Sequence, residues 1–84
     1  QDAVMIEIYR NPAVEVPDYA AASSAVLHLA FVSQNVEADR NRLIAAGASA
    51  EGEIQQAPNG DRLAMLRDPW GFAVQLAERS TPMI

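Results

Sequence analysis

Alternation with a period of two runs through residues 3–9, where Val4, Ile6 and Ile8 fall on one face and Met5, Glu7 and Tyr9 on the other, and it predicts a strand. Asn11 and Pro12 stop it. Residues 12–25 hold Pro12 and Pro17 and a run of small residues, and read as a linker. Residues 26–32 predict a second strand, with Leu27, Leu29 and Phe31 forming an apolar face suited to covering by a helix. His28 then looks the other way, together with Val26, Ala30 and Val32.

A helix is expected over residues 36–46. Asn35 is a suitable N-cap, Glu37 and Asp39 complement the positive end of the dipole, and Gly47 stands where a left-handed C-cap residue is wanted. Val36, Leu43 and Ile44 form its apolar side, while Glu37, Arg40 and Arg42 are expected to face water. Residues 50–56 predict a polar edge strand, followed by a turn at Pro58, Asn59 and Gly60. Residues 62–67 and 72–77 predict two more strands, joined by Asp68, Pro69, Trp70 and Gly71 in a type I turn with proline second and glycine last. The order is one strand, a linker, then β-α-β-β-β: an α+β fold with a mixed curved sheet and one covering helix.

Composition narrows the function without naming it. The chain has 84 residues, half of them apolar and a fifth charged, which is globular composition and a single small domain. Such a length leaves little core to spare, so a partner segment or a second copy is expected. The net charge is -5, all six cations are arginine, and the acids are scattered, so there is no basic stripe for nucleic acid. No cysteine is present, which excludes disulfides and thiolate chemistry. Apolar runs reach at most about seven residues, too short for a bilayer span, and with no secretory n-region and h-region the expected address is cytoplasmic.

Glu7, His28 and Gln75 are each the strongly polar residue of an otherwise apolar predicted strand. Burying such a group costs a few kcal/mol unless it finds a partner, which makes all three candidate site residues. An imidazole with a carboxylate suits zinc, nickel, manganese or iron(II), and an amide oxygen is a weaker ligand. The plain alternatives are a hydrogen-bonded core or surface histidine, an exposed Glu7 and a Gln75 that only lines a cavity. Trp70 reads as capping the sheet, with the cavity mouth as the alternative, Asp68 as serving its turn, Met65 and Phe72 as pocket or core, and Arg67 as a solvated surface residue, with pairing to an acid or contact with a ligand as the alternative.

The strand His28-Leu29-Ala30-Phe31-Val32 and the segment Arg67-Asp68-Pro69-Trp70-Gly71-Phe72-Ala73-Val74-Gln75-Leu76-Ala77-Glu78 resemble the vicinal oxygen chelate superfamily of glyoxalase I, bleomycin-resistance proteins and extradiol dioxygenases. That resemblance implies two βαβββ modules curling around a ligand cavity. Residues 26–84 correspond to the second, C-terminal module, residues 12–25 to the linker, and residues 1–11 to the last strand of an otherwise absent first module. A homodimer or a missing N-terminal module is implied as the partner. The resemblance also implies a small-molecule ligand in a cavity lined by Met5, Glu7, Tyr9, His28 and Gln75, with a divalent metal as possible cofactor held by Glu7 and His28 and weakly by Gln75. In the family the position of Gln75 often carries a glutamate linked to proton transfer. A neutral amide has no pKa suited to a general base, so standard glyoxalase I and extradiol chemistry are disfavoured and no catalytic residue is assigned. The alternatives are a metal-dependent lyase, isomerase or dioxygenase completed by a ligand from elsewhere, and an α+β interaction module.

Overall fold

The computed structural model describes residues 5–7, 12–13 and 15–80. Among these, a short 3-10 turn at Tyr19–Ala21 precedes β1 (Leu29–Val32), α1 (Val36–Ala45), β2 (Ser49–Gln56), β3 (Arg62–Arg67) and β4 (Ala73–Glu78). The four strands form one mixed sheet in the order β1-β4-β3-β2, with β1 parallel to β4 and the other neighbours antiparallel. The α+β fold expected from the sequence is the fold observed.

Local chemistry explains the boundaries. The Asn35 side chain accepts from the Ala38 amide, and the Val36 amide donates to Oε1 of Glu78 at 2.8 Å, so a carboxylate from β4 reaches the positive end of α1. At the other end Gly47, with φ 117°, closes the helix: its amide donates to the Ile44 carbonyl and the Ala48 amide to the Leu43 carbonyl, the paired bonds of a Schellman cap. The Asp68–Gly71 turn is built as expected. The Gly71 amide donates to the Asp68 carbonyl at 2.9 Å, and Oδ1 of Asp68 accepts from the amides of Trp70 and Phe72.

The core lies between α1 and one face of the sheet, where Val36, Ala64, Leu66 and Leu76 are buried, with Leu43, Ala48 and Ile54 packed around them. Strand register sorts the faces. Leu66 pairs with Val74 and Ala64 with Leu76 beneath the helix, and β1 adds Leu29 beside Val74 and Phe31 beside Leu76.

Five expectations are corrected. Residues 5–7 are exposed and lie outside the four strands of the described sheet, seated on neither its β1 nor its β2 edge; the remainder of the expected 3–9 strand lies outside the described residues. The second expected strand begins at Leu29, since the Val26 and Leu27 amides both donate back to the Ser23 carbonyl and turn the chain. The face of Leu27, Leu29 and Phe31 is only half covered: α1 packs on β2, β3 and β4, leaving Leu29 41% and Phe31 42% exposed. On α1 itself Ile44 is exposed, whereas Arg40 is half-buried and reaches the Gly52 carbonyl. Trp70 is 83% exposed at the tip of its turn and packs on nothing that buries it. In β2 the pairing shifts between Glu51 and Gln55, a bulge around Gly52 at φ 77°, on the edge strand as expected.

Candidate functional site

The face of the sheet away from α1 is built from the alternate residues. On it Ala30 pairs with Gln75, Met65 with Gln75 and Leu63 with Ala77, so Gln75 sits at the centre of an apolar floor. The two faces differ in burial. Ala64, Leu66 and Leu76 are buried under the helix, whereas Leu63, Met65, Gln75 and Ala77 are only half-buried and Ala30 is exposed.

His28 stands one residue before β1, two positions from Ala30, which places it diagonally from Gln75 across the parallel β1 and β4 pair. It is half-buried, and its Nδ1 lies 2.6 Å from the Ser24 carbonyl. A carbonyl only accepts, so Nδ1 carries a proton, and in the neutral ring Nε2 is then the nitrogen with the lone pair.

One end of this face is closed by the linker. Arg67 donates through Nε to Oε1 of Glu51 at 2.7 Å and through its terminal nitrogens to the carbonyls of Tyr19, Ala22 and Gly71. The Ser24 hydroxyl donates to the other oxygen of Glu51. Hydrogen bonding from Ser24, and then from Arg67, holds the Glu51 carboxyl below its ordinary range. Tyr19 meets Phe72 edge to face at 5.1 Å, and Ala73 is buried. Arg67 is therefore no solvated surface arginine. Its position directly before an Asp-Pro turn offered the single local hint, because Ser24 and Glu51 are remote in sequence.

The sequence-derived candidates are thus only partly assembled. Gln75 lies on the open face and His28 stands one residue before β1, at its border; Met5 and Glu7 stand on the exposed stretch outside the sheet; Tyr9 lies outside the described residues. The described donors do not compose a metal centre. Among the described residues no three His, Cys, Asp or Glu side chains converge, and one imidazole with one amide falls short of the three protein ligands of a catalytic ion site. A concavity of about 450 Å³ lies on the helix side, lined by Phe31, Leu43, Leu66 and Leu76 and rimmed by Asp39 and Arg42. Its floor is the core itself. Among the described residues no helix is long and apolar enough to cross a membrane.

Among the described residues, a four-stranded mixed sheet with one helix packed on one face and a half-buried amide, Gln75, on the other defines an α+β module. The chain belongs to the Glyoxalase/Bleomycin resistance protein/Dioxygenase superfamily, whose family model matches residues 1–76. Among solved structures it is similar to a glyoxalase family protein from Bacillus cereus, at 29% identity and TM-score 0.68 over 80% of this chain and 46% of that one. It is also similar to SMU.1112c, at 40% identity and TM-score 0.53 over 61% of this chain and 38% of that one. TioX from Micromonospora sp. ML1 shares the fold, at 24% identity and TM-score 0.54 over 68% of this chain and 45% of that one. No curated protein matches the chain. The chain spans less than half the length of each of these structures.

Proposed function

We propose that this chain supplies one wall of a small-molecule cavity, with residues 26–84 as a C-terminal βαβββ module, residues 12–25 as the linker and residues 1–11 as the last strand of a preceding module. The observation that carries this reading is the asymmetry of the sheet. One face is covered by α1 over β2, β3 and β4, while the other sets Gln75 among Ala30, Leu63, Met65 and Ala77 with His28 at its border. An apolar floor with a few convergent polar groups is what an organic ligand requires. The ligand class is a small molecule with an apolar body, lying on Met65 and Leu63, and a polar head that exchanges hydrogen bonds with the Gln75 carboxamide and with Nε2 of His28. Met5, Glu7 and Tyr9 complete the lining when their segment joins a sheet edge. A second copy, seated on the exposed β1 edge, completes the enclosure.

Catalysis by a bound metal is the less supported reading. The outer bond from Nδ1 of His28 to a carbonyl is of the kind that ligating imidazoles make. The described donor set nonetheless lacks a third ligand, and Gln75 cannot move a proton.

Methyl and side-chain amide NMR against a panel of small aromatic and aliphatic compounds with hydrogen-bonding heads tests the proposal. Binding compounds should shift the Ala30, Leu63, Met65 and Ala77 methyls and the Gln75 carboxamide, and leave the Leu66, Val74 and Leu76 methyls unmoved. Shifts confined to the helix-side residues would overturn it.

A further inference from the structure

His28 is held from behind by a chain of polar groups that has no part in the core. Its Nδ1–H donates to the Ser24 carbonyl at 2.6 Å. The hydroxyl of the same serine donates to Oε2 of Glu51, whose Oε1 accepts from Nε of Arg67 at 2.7 Å. Arg67 spends its other donors on the Tyr19 carbonyl at 3.2 Å, the Gly71 carbonyl at 2.9 Å and the Ala22 carbonyl at 3.0 Å. Every acceptor in that set is either on the linker that carries Ser24 or on the turn that begins β4.

The geometry has a chemical consequence. A histidine side chain left to water favours the tautomer with its proton on Nε2, which would turn a donor toward the open face. Which nitrogen carries the proton is set by the hydrogen bond the other one makes. Here the Ser24 carbonyl demands a donor at Nδ1. We propose that Arg67, Glu51 and Ser24 act as a positioning relay that fixes His28 in the tautomer protonated at Nδ1, so that Nε2 faces the open-face site as an acceptor. This rests on the reading of that face as the ligand site, and it narrows the ligand class to molecules that place a hydroxyl or N–H donor beside His28. Arginine suits this task better than lysine, because its planar fork can hold Glu51 and three carbonyls at once. Glu51 remains a charged acceptor through the neutral range, since the Ser24 hydroxyl and then Arg67 hold its carboxyl below the ordinary value.

His28 is the sole histidine of the chain, so nitrogen-15 spectra of the imidazole report one ring without assignment. The measurement is made on the ligand-free full chain at a pH well above the ordinary imidazole range. The unaltered protein should show a protonated-type resonance at Nδ1 and an unprotonated-type resonance at Nε2. Ser24→Ala keeps the carbonyl but cuts the link to Glu51, and should move both resonances toward the values of a freely exchanging ring. Arg67→Lys should act in the same direction, and Glu53→Gln on the same strand should leave both resonances in place. A proton on Nε2 in the unaltered protein, or spectra indifferent to Ser24→Ala and Arg67→Lys in folded protein, would overturn the relay. Because no ligand is present, such a failure leaves the open-face reading standing. That reading is tested separately, by the methyl shifts.

Discussion

Gly71 is the position where backbone and packing constraints coincide most sharply. Its φ is 93°, in the half of conformational space that side chains resist, and a Cβ placed on it would lie 2.5 Å from Cβ and 3.0 Å from Cα of Ala20. Replacement by alanine therefore carries two costs. The backbone term is about 1 to 2 kcal/mol, and displacing the Tyr19–Ala21 turn adds about 1 to 2 kcal/mol of overpacking. The sum is roughly 2 to 4 kcal/mol, or about 10 °C or more in the melting temperature of a domain this small. Valine, branched at Cβ, should cost more than alanine. Gly52 supplies the comparison: at φ 77° it meets nothing within 4 Å, so Gly52→Ala should show only the backbone term. Thermal unfolding followed by circular dichroism on Gly71→Ala, Gly52→Ala and Gly71→Ala combined with Ala20→Gly separates the terms. The double variant should recover part of the loss, but not all, because Cα of residue 20 remains close. Equal melting temperatures for the two single glycine variants, or no recovery in the double, would refute the packing argument.

Two further predictions concern acid and assembly. The Asp61 carboxyl is held below its ordinary value by the Ser80 amide, Asp39 by the Ser33 hydroxyl and Glu51 by the Ser24 hydroxyl. Lowered folded-state values mean that the stabilisation is fully present above the unfolded values of about 4 and is lost as the pH falls through the lower folded ones; urea midpoints should hold between pH 5 and 7 and drop below about 4, and an Asp61→Asn variant that loses as much stability at pH 3 as at pH 7 would contradict this. The β1 edge leaves Val32 63% exposed beside half-exposed Leu29 and Phe31, so sedimentation velocity should show a dimer at micromolar concentrations, weakened on the order of tenfold by Val32→Glu; a monomer at all concentrations would count against it.

The parts of the fold legible in the sequence are those fixed within a few residues. Asn35 and Gly47 bracket α1 and Asp68 and Gly71 build the turn into β4, because caps and turns are satisfied locally, and the polarity of β2 marks an edge. What escaped depends on distant partners. The covering of Leu29 and Phe31 is decided by how far α1 moves toward β2 on its way across the sheet, which no periodicity in β1 encodes. The strand expected at residues 3–9 had the right alternation, yet alternation cannot supply the neighbouring edge that Met5–Glu7 would need. The candidate site followed the same division. His28 and Gln75 could be picked as polar residues in apolar strands, but the parallel β1 and β4 pairing that sets Ala30 beside Gln75 is not encoded in either strand alone. For Arg67 the pairing with an acid was only an alternative to a solvated surface residue, because Glu51 and the carbonyls of Tyr19 and Ala22 lie on other segments and are individually unremarkable.

The account stands most directly on His28 and Gln75 sharing one face, and an engineered metal site measures that proximity. Calorimetric titration of zinc or nickel into the unaltered chain should give weak or negligible binding, since an imidazole and an amide are two donors of unequal strength. Gln75→Glu supplies a charged oxygen and should tighten binding on the order of tenfold, about 1.4 kcal/mol, and adding His28→Ala to that variant should abolish the gain. Failure of Gln75→Glu to tighten binding, or a gain that survives the loss of His28, would contradict the placement of the two residues in one site.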